Sequence, residues 1–97
     1  MSLQGEIALV TGASRGIGAS IADTLAAAGA YVIGTATTHG GALAIQERIT
    51  AAGHEGAGRE LDVTSQDSVD AIIKACADLK GPPTILVNNA GITRDNL

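Results

Sequence analysis

The stretch Thr11-Gly12-Ala13-Ser14-Arg15-Gly16-Ile17-Gly18 separates two runs of different periodicity. Before it, Ile7-Ala8-Leu9-Val10 is continuously apolar, the pattern of a buried strand ending near Thr11. After it, from Gly16 to Ala28, the apolar residues Ile17, Ile21, Leu25 and Ala28 recur at helical spacing, and Gly29 stands where a helix C-terminal glycine belongs. Between strand and helix, Gly12 permits a sharp turn, Gly16 leaves the backbone bare where a diphosphate would approach, and Gly18 lets the helix pack closely on the sheet. Free N–H groups at the helix start, with the helix dipole behind them, attract an anion. Three glycines also fit a merely tight turn; their place between a strand and a helix is what favours nucleotide binding.

Working outward, the alternation continues. Tyr31-Val32-Ile33 predicts a second strand, and Ala42, Ile45, Ile49 and Ala52 mark one face of a second helix closed by Gly53. A third strand is predicted around residues 57–63, with Arg59 and Glu60 suited to an exposed sheet edge. Ser65 and Asp67 can cap a third helix that buries Val69, Ile72, Ile73, Cys76 and Leu79, with Asp70 in its first turn and Lys80 in its last. Gly81-Pro82-Pro83 breaks that helix, and residues 84–87 predict a fourth strand. The order β-α-β-α-β-α-β with near-continuous apolar strands predicts an α/β fold. The expected form is a Rossmann-type doubly wound parallel sheet with strand order 3-2-1-4, truncated after the fourth strand. No repeat, low-complexity segment or linker divides the chain, so residues 1–97 read as part of a single domain.

The composition agrees with a globular protein: 45% hydrophobic, 16% charged, 13 glycines and 2 prolines in 97 residues. Tyr31 is the only aromatic residue, so the core must come from Ala, Ile, Leu and Val, which offer little area per residue. A net charge of -4 and scattered basic residues argue against nucleic acid as a main partner, since phosphate backbones are held by clustered Lys and Arg. No apolar run approaches membrane-spanning length, the N-terminus carries no signal-peptide pattern, and the single Cys76 cannot form an internal disulfide. The expectation is a cytoplasmic protein with neither nucleic acid nor membrane as partner.

A second signal is a missing residue. In dinucleotide folds that take NAD, an acid about 20 positions after the glycine turn holds the ribose 2′-hydroxyl. Here the region reads Gly34-Thr35-Ala36-Thr37-Thr38, with no carboxylate to repel a 2′-phosphate. Arg15 lies in the neighbouring loop and Thr37 can donate a hydrogen bond. A hydrogen bond to a charged group contributes about 1.5–3 kcal/mol, enough to favour NADP(H) tenfold or more. The competing view of Arg15 is a solvated loop residue.

TGASRGIG after a first strand, together with NNAG (residues 88–91) after a fourth, resembles the short-chain dehydrogenase/reductase family. VIGTATT (residues 32–38) and NNAGITRDNL (residues 88–97) are similar to its bacterial members that reduce the 3-keto group of acyl-carrier-protein thioesters in fatty-acid elongation. The resemblance covers the whole chain. It implies a pyrophosphate loop of Gly12, Ala13, Ser14, Arg15, Gly16, Ile17 and Gly18, and an adenosine-phosphate contact at Thr37. It puts Asp62 and Val63, ending the third strand, beside the adenine, and Asn89, Ala90 and Gly91 along the path from adenosine ribose to nicotinamide. The implied cofactor is NADP(H). An asparagine pair after a strand also serves to stitch backbone groups together, a role expected mainly of Asn88.

Members of that family reduce a ketone by hydride transfer, with a tyrosine as proton donor, a lysine four residues later and a serine at the carbonyl. Here the residue four beyond Tyr31 is Thr35, and neither Lys74 nor Lys80 follows a tyrosine at that spacing. No catalytic residue is assigned, and the catalytic segment is expected beyond Leu97. The chain is thus read as the N-terminal NADP-binding part of a longer subunit, inactive alone. The absent part would meet the acyl-carrier-protein-linked substrate, and the resemblance suggests a homotetramer for the intact protein. A reductase of acetoacetyl-CoA or another ketone is an alternative, as is a nucleotide-binding module without catalysis. Cys76 reads as core, and His39, which follows the Thr37-Thr38 turn, as a solvated loop residue in preference to a 2′-phosphate contact. His54 has no visible metal partners, and Asp67, Asp70 and Asp78 read as capping and surface; no metal site is expected.

Overall fold

The computed structural model describes residues 2–90. It contains β1 (Ile7–Val10), α1 (Gly16–Ala27), β2 (Tyr31–Ala36), α2 (His39–Ala51), β3 (Gly56–Glu60), α3 (Gln66–Leu79) and β4 (Ile85–Val87). The strands form one parallel sheet in the order β3-β2-β1-β4, as the alternating pattern requires. Leu9 pairs with Ile33 on one side and Leu86 on the other, so β1 is central; β3 and β4 are the edges.

Two apolar layers enclose the sheet. On one face Ala8, Val10, Val32 and Ala36 pack with Ala22 and Ala26 of α1 and with Ile45 and Ile49 of α2. On the other, Leu9, Ile33 and Leu61 pack with Ile72 and Cys76 of α3. The helices end as their glycines dictate. Gly29 (φ 107) follows α1 and Gly53 (φ 77) follows α2, each in the left-handed region. In each case the next amide turns back: Ala30 N donates to Leu25 O at 3.1 Å and His54 N to Ile49 O at 3.1 Å.

Several local expectations change. The most buried residues of α1 are Gly18, Ala19, Ala22 and Ala26; Ile21 and Leu25 are half-buried and pack against the same core, while Ile17 is 68% exposed. At Gly18 itself the contact is too close for any side chain. Ala52 is exposed at the end of α2. In α3, Ile72 and Cys76 are buried while Ile73 is 54% exposed. Ser65 caps α3, accepting from Ser68 N at 3.2 Å; Asp67 is the acid of its first turn, and Lys80 follows its last residue. β2 runs on to Ala36, whereas β3 stops at Glu60, so Asp62 and Val63 lie past the strand in the turn toward α3.

Candidate functional site

The carboxyl ends of β1, β2 and β4 meet at the loop of residues 11–15, and hydrogen bonds fasten it to both neighbours. Ala13 N donates to Thr35 O of β2 at 2.8 Å, and Thr11 N donates to Val87 O of β4 at 3.0 Å. The buried Thr11 hydroxyl accepts from Asn89 N at 3.0 Å and from Ala90 N at 2.9 Å. Asn89 Nδ2 in turn donates to Gly12 O at 3.0 Å. The stitching asparagine is therefore Asn89, 5% exposed, rather than Asn88, which is exposed and, among the described residues, only accepts from the Thr11 hydroxyl at 3.4 Å. The reversal follows from strand alternation: of two consecutive residues leaving β4, one turns inward to the loop and the other outward. The Oδ1 atom of Asn89 is buried without a partner among the described residues. Thr11 carries as much of this junction as the asparagine, and sequence reasoning passed it over; a buried hydroxyl at a strand end, next to a glycine turn, was the available signal.

The three glycines of the loop are required for three different reasons. Gly12 has φ 63, and an added Cβ would lie 3.1 Å from Asn89 Nδ2. Gly16 also has φ 63, but a Cβ there meets nothing within 4 Å. At Gly18 a Cβ would lie 2.0 Å from Gly12 O, so only glycine lets α1 approach the end of β1 this closely.

The first turn of α1 is open. Its N-cap residue, Arg15, is extended (φ -162, ψ 172) and makes no side-chain cap, and no acid lies in the first turn. The other two helices are capped, α2 by Thr38 to Gly41 N at 3.0 Å and α3 by Ser65. Uncapped N–H groups at a helix start, with the positive end of the dipole behind them, suit an anion. Behind bare Gly16 there is room for one.

The loop also abuts the start of α2: a Cβ added at Gly41 would lie 3.7 Å from Ser14 Cβ. This brings the exposed Arg15 to the same rim as the exposed Thr37, which joins the end of β2 to the α2 cap. Asp62 is at the far side of the rim. Its Oδ1 accepts from Thr64 Oγ1 at 2.6 Å and from Thr64 N at 2.9 Å, and these bonds hold its carboxyl below the ordinary carboxylate range. Val63, 44% exposed, lines an apolar groove of about 490 Å³ with Leu9, Val69, Ile72, Ile73 and Leu86. The structure thus gathers Gly12, Ala13, Ser14, Arg15, Gly16, Ile17, Gly18, Thr37, Asn89 and Ala90 around the ends of β1, β2 and β4, with Asp62 and Val63 beyond β3. Gly91 lies outside the described residues.

Residues 6–97 match the short chain dehydrogenase family. The chain belongs to that family. Over all 97 residues it is 60% identical to the 3-oxoacyl-[acyl-carrier-protein] reductase FabG of Pseudomonas aeruginosa, 58% to that of Vibrio harveyi and 55% to that of Escherichia coli. It spans only 39%, 38% and 38% of the lengths of those proteins. Membership of the short chain dehydrogenases implies a nicotinamide nucleotide as cofactor. It also makes Tyr31 worth locating: it opens β2, at the opposite end of the sheet from the loop, with Lys80 Nζ 5.6 Å from its ring centroid. Among the described residues no helix is long and apolar enough to cross a membrane, and no group of three His, Cys, Asp or Glu is placed to hold a metal.

Proposed function

We propose that this chain is the NADP(H)-binding portion of a reductase that transfers hydride to the 3-keto group of an acyl-carrier-protein thioester. The observation that carries the reading is the uncapped start of α1 behind a loop turned by two left-handed glycines, with open space at Gly16. In this reading the amides of residues 16–18 hold the diphosphate, and Gly12, Ala13 and Ser14 shape the loop around it. Arg15 and Thr37 hold the 2′-phosphate on their shared rim, Asp62 and Val63 flank the adenine, and the unpartnered Oδ1 of Asn89 is an acceptor for a sugar hydroxyl next to Ala90 and Gly91. Bound NADPH would supply the hydride; these residues bind and orient it.

The preference for a third phosphate rests on charge. The end of β2 carries no acid, and Arg15 adds a permanent cation. Arg15→Ala should weaken NADPH binding by roughly tenfold or more, the worth of a charge-assisted hydrogen bond, and NADH binding far less, as read by equilibrium titration. Equal losses for both dinucleotides would defeat the assignment.

The acyl-carrier-protein substrate is carried by the likeness to the FabG proteins, over the part of their length that this chain spans. In the same reading residues 1–97 are the N-terminal part of one Rossmann-type domain in a cytoplasmic homotetramer. In this reading the proton donor for catalysis lies outside residues 1–97; Tyr31 opens β2, at the end of the sheet away from the loop. That last point also favours a second reading, a nucleotide-binding module without catalysis. Turnover of a 3-oxoacyl thioester by the protein as its gene encodes it separates the two.

A further inference from the structure

We propose that His39, held by Glu60, is a further contact for the 2′-phosphate and a determinant of the preference for NADPH over NADH; this rests on the dinucleotide reading above. His39 is the first residue of α2, directly after its cap Thr38 and two residues from Thr37. Glu60 is the last residue of β3 and pairs in register with Ala36, the residue before Thr37. The two side chains meet at the rim, His39 Nδ1 lying 3.5 Å from Glu60 Oε2. The other ring nitrogen, Nε2, has no hydrogen-bond partner among the described residues and is free to donate when the ring is protonated.

Two features favour an anion at this turn, and His39 offsets the one that opposes it. The loop carrying Arg15 packs against this same turn, through the approach of Ser14 to Gly41. The start of α2 has no acid in its first turn, so its dipole adds a favourable field. Glu60 is the one carboxylate paired at this turn among the described residues, and His39 stands against it. Left bare, that carboxylate would oppose a phosphate dianion; paired with an imidazolium, it holds the cation in place. A histidine with carboxylate on one nitrogen and phosphate on the other satisfies both donors of its charged form. Both side chains are largely exposed (76% and 55%), so the effect is a modest and salt-sensitive one.

The test is equilibrium titration of the protein as its gene encodes it with NADPH, NADH and 2′,5′-ADP. His39→Ala should weaken NADPH and 2′,5′-ADP by roughly three- to tenfold at low ionic strength, leave NADH nearly unchanged, and lose most of its effect at about 1 M salt. In a Glu60→Ala background the same substitution should matter much less, because the imidazole is no longer held. Both positions are exposed, so thermal melts should show folded variants. Equal losses for NADPH and NADH, no loss, or an undiminished loss in the Glu60→Ala background would overturn the proposal. If Arg15→Ala costs NADPH selectively and His39→Ala does not, this inference alone falls. If the protein binds neither dinucleotide, the functional reading falls with it.

Discussion

At position 18 an added Cβ would sit 2.0 Å from the Gly12 carbonyl oxygen, whereas at position 16 it would meet nothing within 4 Å. Two glycines two residues apart therefore answer to different demands, one to packing and one to backbone conformation and open approach. Gly18→Ala must push α1 off the end of β1 and should destabilise the fold by about 1–3 kcal/mol, seen as a lowered Tm. Gly16→Ala places a Cβ at φ 63, a cost of roughly 1–2 kcal/mol, and fills the space left for a phosphate. Its loss of NADPH affinity should exceed what its stability loss accounts for. Paired melts and titrations of the two variants check this: a Gly16→Ala protein that binds NADPH as well as the parent would contradict the role assigned to the bare backbone. Asn89 belongs at this scale too, because its side chain closes the loop through Gly12 O and leaves one oxygen unused.

Among the elements, α1 shows how a structural weakness and a site coincide. α2 and α3 have side-chain caps; α1 begins at Arg15 with none. Arg15→Asn introduces a good N-cap at a residue already extended, and should raise the stability of the ligand-free protein by about 1 kcal/mol while reducing the preference for NADPH. A melt that is unchanged or lower would show that the first-turn amides are already satisfied. α1 also marks the limit of what the sequence disclosed. The strand-helix alternation, the 3-2-1-4 order and the glycine turn follow from short apolar runs and fixed spacings, and all are found. The depth of burial along α1 does not follow, because hydropathy ranks Ile17, Ile21 and Leu25 above Ala19, Ala22 and Ala26, whereas in a helix closed onto the Gly12 turn at Gly18 the small residues are the buried ones and Ile21 and Leu25 pack at the margin of the core. The same limit applies to Asn88 and Asn89. Their order is set by which side of β4 faces the loop, and residue type says nothing of that. The His39–Glu60 pair was hidden for another reason: it joins elements far apart in the chain and depends on where β3 ends.

In the molecule as a whole, the two faces of the sheet are unequally covered. Among the described residues α1 and α2 share one, and α3 alone serves the other, leaving the apolar groove of about 490 Å³ between α3 and β4. Leu86 on the edge strand is 65% exposed and Ile73 54% exposed. An apolar edge strand beside an apolar groove is a template for association. The 97-residue chain by itself should self-associate with rising concentration, and Leu86→Lys should shift it toward monomer with little change in stability, within about 0.5 kcal/mol for an exposed site. Sedimentation of both forms checks this; a parent chain that stays monomeric at high concentration would show the face to be harmless. The central claim concerns the other end of the sheet, and a crystal structure of the gene product with NADP bound tests it most directly. The account predicts the diphosphate against the amides of residues 16–18, with the 2′-phosphate between Arg15 and Thr37. A dinucleotide bound anywhere else, or one whose diphosphate stays clear of the start of α1, would contradict it.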